Sequence, residues 1–340
     1  MNSRYFGIIA LLIIGLVVSP MQAEEVSKVG TTAAPFLTIS VGARATSMGG
    51  AFVSVANDAS ALFWNVGGIA QLDRPEMLFS HSEWLQEINF DYLAVVAPVS
   101  GLGTIGISMT ALTMEEFEQT TELSPEGTGV KFSAGSYAAA VSFARSLTPK
   151  FHIGFTAKYI RENIWNSSAS GVALDVGTLF TTPFKGLRLG MSISNFGTKM
   201  RMQGDDLLLQ VDPDPTISGN NETINAYYQT EEFDLPLIFR VGLSMEVINT
   251  ADNQLTLAVD AIHPNDNSES VNVGGEYRFK NLVSLRAGYR ALFQQHSEEG
   301  LTLGGGLYKN FGGMGLYIDY AYEDFGILDY IQKFSLRLTF

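Results

Sequence analysis

The chain has no cysteine among its 340 residues, which excludes a disulfide scaffold, a thiolate metal centre and a lipid-anchored cysteine. Basic residues are scarce: 21 Lys plus Arg stand against 35 Asp plus Glu, a formal net charge of -14. So acidic a chain repels a phosphate backbone before contact, which excludes nucleic acid as a partner. Long apolar runs are missing too. Beyond the first two dozen residues, no uninterrupted run reaches the roughly 20 apolar residues that a spanning helix needs. What the chain has instead is 46% hydrophobic residues with only 16% charged, 34 glycines and 11% aromatics. The hydrophobic fraction excludes disorder. The low charge fits a chain that shows apolar surface to something other than water.

Arg4 precedes a short apolar run, Gly7 to Val18, and small residues lead to Met21, Gln22 and Ala23 before acidic Glu24 and Glu25. A basic start, a run too short to span a bilayer and a small-residue end read as a secretory signal peptide, residues 1–23, cleaved after Ala23. If an exported chain without a spanning helix crosses a membrane, it must do so as a closed barrel, which alone satisfies every backbone hydrogen bond without helices.

From about residue 75 the pattern alternates with period two. Leu237, Phe239, Val241, Leu243 and Met245 fall on one face and Arg240, Gly242, Ser244 and Glu246 on the other. Leu255, Leu257, Val259 and Ala261 alternate with Thr256, Ala258 and Asp260. Val283, Leu285, Ala287 and Tyr289 do so with Ser284, Arg286, Gly288 and Arg290. Each such run is a strand with one apolar and one polar or small face. There are fourteen: 75–83, 88–98, 102–112, 134–147, 150–162, 170–182, 186–197, 235–247, 253–263, 269–280, 282–292, 300–309, 313–323 and 331–340. Most hold about ten residues or more, longer than in soluble sheets and suited to strands tilted across a bilayer.

Connections after even-numbered strands are tight, as at Ser100-Gly101, Thr148-Pro149, Lys280-Asn281 and 310–312, whereas those after odd-numbered strands are generally longer, above all 113–133 and 198–234. An even strand count with short turns at one rim and long loops at the other predicts an all-β fold, a 14-stranded antiparallel transmembrane β-barrel occupying residues 75–340. Tyr92, Tyr137, Tyr159, Phe180, Tyr277, Tyr289 and Tyr322 stand near strand ends, where rings anchor in the headgroup layer. The last strand alternates Phe334, Leu336, Leu338 and Phe340 with Lys333, Ser335, Arg337 and Thr339 and stops on the aromatic. That ending looks like the insertion signal of bacterial outer-membrane barrels. A periplasmic β-sandwich or propeller is the soluble alternative, but it would show no two-rim asymmetry, and no blade-length repeat is present.

Residues 24–74 do not alternate and are rich in small side chains, which lets turns of backbone pack closely. The lumen of a fourteen-stranded barrel is wide enough to need filling, so this segment is expected to be a luminal plug rather than a periplasmic cap. Its candidate functional residues are Gly42, Arg44, Met48, Gly49, Gly50, Asp58, Ser60 and Asn65. The stretch from Ala34-Pro35-Phe36-Leu37 through Val41-Gly42-Ala43-Arg44 and Met48-Gly49-Gly50-Ala51-Phe52 to Asn57-Asp58-Ala59-Ser60-Ala61-Leu62-Phe63-Trp64-Asn65 resembles the start of the PorV/PorQ family, barrels similar to the FadL transporters of hydrophobic compounds. The resemblance is dense over 34–70 and architectural beyond. Relatives continue after the Asn with Pro-Ala-Gly, whereas this chain has Val66-Gly67-Gly68. Without proline to fix the backbone, a looser turn is expected there.

The resemblance implies a non-enzymatic outer-membrane protein and, for its role, two alternatives. A PorV-like barrel would hold secreted cargo or components of type IX secretion through the long loops. A FadL-like barrel would conduct a hydrophobic small molecule past the plug. No cofactor is implied.

Other chemistry is sparse. Gly101-Leu102-Gly103-Thr104-Ile105-Gly106 has the G-x-G-x-x-G spacing but leads into a strand rather than a helix, so it reads as a hairpin. His81, His152, His263 and His296 show no metal spacing, and no base can be named for His81 to support an outer-membrane hydrolase. Asp205, Asp206, Asp212 and Asp214 lack a calcium-loop pattern. The asparagines of Asn166-Ser167-Ser168 and Asn221-Glu222-Thr223 match a glycosylation pattern that has no meaning in a bacterial outer membrane. On the luminal face the alternation places Lys158, Asp175, Arg188, Asp260 and Asp319 together with a charged network of Arg240, Glu246, Glu276, Arg278, Arg286 and Arg290. Charges there must pair with one another, with the plug or with water. Arg286 and Arg290 are two of the best candidates to contact the plug or an anionic ligand head, with a plain structural network the favoured reading.

Overall fold

The computed structural model describes residues 28–214, 216, 223–294 and 297–340. The signal peptide expected at 1–23, His296 and the Asn221 pattern lie outside them. Fourteen strands form the barrel: β1 Glu76–Glu83, β2 Asn89–Val99, β3 Gly103–Thr113, β4 Ala134–Thr148, β5 Phe151–Ile164, β6 Ser167–Thr181, β7 Arg188–Gly197, β8 Ile238–Asn249, β9 Asn253–Pro264, β10 Ser270–Phe279, β11 Val283–Leu292, β12 Leu301–Phe311, β13 Met314–Asp324 and β14 Tyr330–Thr339. Every neighbour in the chain is an antiparallel neighbour in space, and β14 returns to β1 with Glu76 opposite Thr339. The ring is therefore closed, and among the described residues every barrel strand has a neighbour on both sides.

The apolar phase faces outward. In β14, Phe334 is 53% exposed while Lys333 beside it is 1% exposed. In β8, Phe239 and Leu243 point out and Arg240 and Ser244 are buried. Among the described residues no helix is long and apolar enough to cross a membrane; the crossing is made by strands. Tyr137, Tyr159, Phe180 and Tyr289 do lie on the outer face, with Tyr322 stacked on Tyr330 and Tyr320 tilted against Phe334 near the loop rim. Tyr92 does not. It is buried in the lumen with its ring 6.5 Å from Phe63. In β2 both faces are apolar, with Phe90, Tyr92, Ala94 and Val96 inward, so hydrophobicity does not distinguish the lipid side there.

Turns follow the two-rim pattern with two exceptions: β5 and β6 are joined at the loop rim by only Trp165 and Asn166, and the turn-rim link between β6 and β7, 182–187, is longer than the shortest loop-rim links. The long loop after β3 carries a two-residue ladder, Phe117–Glu118 with Lys131–Phe132. The loop after β7 carries Leu208–Val211 paired with Ile224–Tyr227.

The plug lies inside. A 3-10 turn, Pro35–Thr38, begins it, with proline at the first helical position where its missing N–H costs nothing. Two one-turn helices follow, α1 Ala43–Thr46 and α2 Ala61–Trp64, then a 3-10 segment, Val66–Gln71. The plug runs the height of the lumen. At the loop rim, the Ala33 N–H donates to the carbonyl of Asp234 at 2.9 Å and the Ala34 N–H to Glu162 at 3.2 Å. At the turn rim, the Ser146 hydroxyl donates to the Ala70 carbonyl at 3.2 Å. Small residues set how closely plug and wall approach: Gly49, at φ +66°, leaves no room for a Cβ, which would stand 2.7 Å from the backbone of both Tyr289 and Val273.

Candidate functional site: the plug in the lumen

Arg44 sits on α1, fully inside the barrel, and organises the central cluster. Its Nε and Nη2 donate to the two oxygens of Glu276 on β10, each at 2.9 Å. Its Nη1 donates to Asp58 at 2.7 Å and to Asn57 at 2.8 Å. Glu276 is shared with the wall, because Arg286 of β11 donates to it at 2.7 Å and to Asp319 of β13 at 2.7 Å. Asp58 also accepts the Ser60 N–H at 2.9 Å. Burial opposes its ionisation, but the charges of Arg337 and Arg44 and the Ser60 hydroxyl outweigh it and bring the carboxyl down to about 2. Each of these charges would be costly alone; together they lock plug to wall.

Further locks surround this centre. Arg290 contacts the plug through the Ser40 hydroxyl at 2.7 Å and pairs with Glu323 and with Glu299 of the loop before β12. Lys333 donates to the Ser40 carbonyl beneath the Phe90 ring. Arg337 pairs with Glu76 at 3.2 Å, and Glu76 accepts the Ala59 N–H at 2.9 Å. On the far wall, Asp260 accepts the Phe52 and Val53 N–H groups at 2.7 and 2.8 Å. Arg240 lies 6.0 Å from the Phe63 ring centre and 5.7 Å from that of Trp64. Asn65 joins plug to wall by donating to the Thr178 carbonyl, and it also accepts the Gly67 N–H. That cap makes the Val66-Gly67-Gly68 segment a tight, buried 3-10 turn rather than a loose one.

The structure thus brings Arg44, Asp58 and Ser60 together with Glu276 and Arg286. Arg278 borders the cluster 3.4 Å from Glu276. Met48, Gly49, Gly50 and Asn65 shape plug–wall packing at other points, whereas Gly42 packs against Ser60 of the plug itself. Glu246 stands apart, paired with Arg188 toward the turn rim at 2.7 Å. Arg286 reaches the plug only through the shared Glu276. Missing from the expected set are Glu76, Glu323, Lys333 and Arg337. The alternation of Lys333 and Arg337 with Phe334 and Leu336 already carried their inward phase.

His81 has a partner after all: Asp91, opposite it on β2, at 2.8 Å on the outer face. Neighbouring strands supply such a partner, which adjacency in sequence does not reveal. His152 meets Ser146 at 2.7 Å, and His263 meets Glu269 at 3.0 Å. Among the described residues no group of three or more potential ligands could hold a metal ion. Asp206 is engaged by Asn166 and Ser167 as a strap on the β5–β6 turn.

Two cavities bear on passage. One of about 350 Å³ opens in the long loop between Met202, Leu207, Tyr227 and Tyr228. The other, inside, lies between plug residues Leu37, Leu62 and Phe63 and wall residues that include Tyr92 and Lys158, and at about 20 Å³ it holds no more than a water. Lys158 links this pocket to an irregular part of the wall. It pairs with Asp175 at 2.7 Å and donates to Asn195 at 2.8 Å. Asn195, at φ +65°, sits where the register of β6 against β7 shifts. The β7–β8 ladder stops at Ser194 opposite Ile238, and beyond it the Asn195 side chain donates to the carbonyl of Pro236 at 3.0 Å.

A family model described as an uncharacterised protein family, UPF0164, matches residues 15–206. No curated protein sequence matches the chain. Among solved structures, the toluene transporter TodX of Pseudomonas putida is similar at 13% identity and TM-score 0.53, covering 88% of this chain and 97% of that one. The toluene transporter TbuX of Ralstonia pickettii follows at 12% identity and TM-score 0.53, with 88% and 97% covered. A FadL homologue of Pseudomonas aeruginosa shows 12% identity and TM-score 0.50, with 86% and 96% covered. At these identities the likeness is one of fold.

Proposed function

We propose that this chain, which belongs to the uncharacterised family UPF0164, is an exported outer-membrane barrel whose plug gates the passage of a small hydrophobic compound. One observation carries the reading: the pocket between plug and wall adjoins, through Lys158 and Asn195, the place where the β7–β8 ladder gives out. A solute held beside Phe63 and Tyr92 has a way sideways there, past the Lys158–Asp175 pair and Asn195 to Phe196 and Phe239 on the lipid face. Pro236 has no N–H with which to extend the ladder, so a side-chain hydrogen bond closes the seam where backbone bonds otherwise would. The similar folds include proteins solved as toluene transporters, which supports a monoaromatic or similarly small apolar solute. The role in this reading is one of binding and conducting.

The inner pocket admits only a water, so passage of a solute through it requires the seam or the plug to move. The absence of native cysteine makes the test clean. In a strain taking up radiolabelled toluene through this barrel, Asn195→Cys combined with Pro236→Cys should abolish uptake when oxidised and regain it on reduction. Undiminished uptake by the fully cross-linked, heat-modifiable barrel would exclude this route.

A second reading, a PorV-like partner in protein secretion, is favoured by apolar residues displayed on the loops, with Leu123 96% exposed and Phe117 and Tyr228 more than half exposed. It predicts that a secreted protein co-purifies with the wild-type barrel and is lost when 114–133 is shortened, with hydrophobic uptake unchanged.

A further inference from the structure

The two rims differ in charge as well as in length. Between 114 and 133 there are five glutamates against one lysine, and between 198 and 234 eight acids against two bases. The short turns instead carry Lys150, Lys185 and Lys280 against Asp252. Three lysines at that rim share one arrangement, each with its ammonium over an exposed phenylalanine ring. Lys185 lies 6.0 Å from the centre of Phe184, Lys280 5.4 Å from Phe279, and Lys309 5.2 Å from Phe311. The rings are 66%, 43% and 48% exposed, and those of Phe279 and Phe311 continue the outward, lipid-facing rows of β10 and β12. Lys280 stands just beyond Phe279, Lys185 lies with Phe184 in the β6–β7 turn, and Lys309, two residues inside Phe311 on β12, turns its ammonium to that terminal ring, so each charge comes near the depth of lipid phosphates.

We infer that the short-turn rim is a docking surface for the anionic phospholipid headgroups of the leaflet on that side. The three Lys–Phe couplets provide the phosphate contacts, and the lipid belt beside them is the continuous apolar surface against which the acyl chains lie. Charge complementarity selects the occupant. A polybasic rim attracts an anionic leaflet by about a factor of five per lysine, whereas the acidic loop rim repels one. The same asymmetry orients the barrel, with the acidic loops away from that leaflet. Among the described residues no carboxylate pairs with these lysines; Asp252 lies in the neighbouring turn, its backbone carbonyl accepting the Lys280 N–H at 2.7 Å.

The full chain in neutral-detergent micelles, offered equal dioleoylphosphatidylglycerol and dioleoylphosphatidylcholine, should retain the anionic lipid about tenfold or more over the zwitterionic one by native mass spectrometry. Lys185→Gln, Lys280→Gln and Lys309→Gln together should bring the ratio near unity, while Lys131→Gln with Lys199→Gln at the loop rim should leave it unchanged. Equal retention by the wild type, or a preference that survives the triple substitution, overturns the inference. Should the triple variant not fold, salt decides on the wild type: the preference should collapse by about 0.5 M NaCl, where surface charges are screened, and one indifferent to salt overturns it equally. Displacement of the lipid by inorganic phosphate at millimolar concentration would show a free-anion site in place of a bilayer surface.

Discussion

Arg44 shows what a single buried charge does here. It meets Glu276 through a two-pronged pair and Asp58 through its third nitrogen, so removing it strands a carboxylate. Glu276 keeps Arg286, but Asp58 keeps only the field of Arg337 and the Ser60 bonds. Arg44→Ala should therefore loosen the plug by about 3–5 kcal/mol, the usual penalty for breaking one side of a buried pair. Arg44→Ala with Asp58→Ala should recover part of that loss, because no uncompensated charge remains. Single-channel conductance and the temperature of the folded-to-unfolded gel shift read both; equal damage in single and double variants would mean that Asp58 is not what Arg44 neutralises. Asp58 also sets a pH window. Its folded value, about 2, lies below the ordinary aspartate value near 3.8, so its contribution is complete above about pH 4 and disappears as pH falls toward 2. Conductance of the wild type should rise across that interval, and Asp58→Asn should show the raised conductance at neutral pH without the step.

At the scale of elements, the strands were legible because each must satisfy two solvents at once. Lipid outside and a polar, plug-filled lumen inside force period two, and the strand limits differ from the alternation by no more than about three residues. Legibility fails where that contrast fades. In β2 the plug replaces water with Phe63 and Leu37, so Tyr92 packs inward where an interface ring was expected. In the plug itself no periodicity exists, because one-turn helices and 3-10 turns are held by the wall rather than by an amphipathic face. The family-like motif located the plug and holds Asp58, but the wall partner of Arg44, Glu276, lies more than two hundred residues away along the chain, and only closure of the barrel brings it there. Asn65 is a case in between. The Val66-Gly67-Gly68 that follows it in place of a proline-bearing turn suggests slack, yet the Asn65 side chain capping Gly67 and reaching Thr178 gives the segment its order. The β7–β8 seam was the least legible element, since Pro236 reads as the start of an ordinary strand and only the register shows the ladder ending at Ser194.

For the whole molecule, the decisive contact is the last one made. β14 closes the ring by pairing with β13 on one side and β1 on the other, and the Phe340 N–H reaches the Pro75 carbonyl at 3.0 Å. The same strand carries Lys333 and Arg337, which hold Ser40 and Glu76, so closure and plug seating are completed by one segment. Deleting residues 331–340 leaves two bare strand edges in lipid, where each unsatisfied backbone group costs several kcal/mol, and also frees the plug. Such a chain should give no heat-modifiable band after refolding into detergent and should pellet as aggregate. Phe340→Ala removes only a terminal ring and keeps the ladder, so it should refold in vitro to a band of unchanged mobility. If the truncated chain refolds as well as Phe340→Ala does, the hydrogen-bonded ring is not what holds this molecule together.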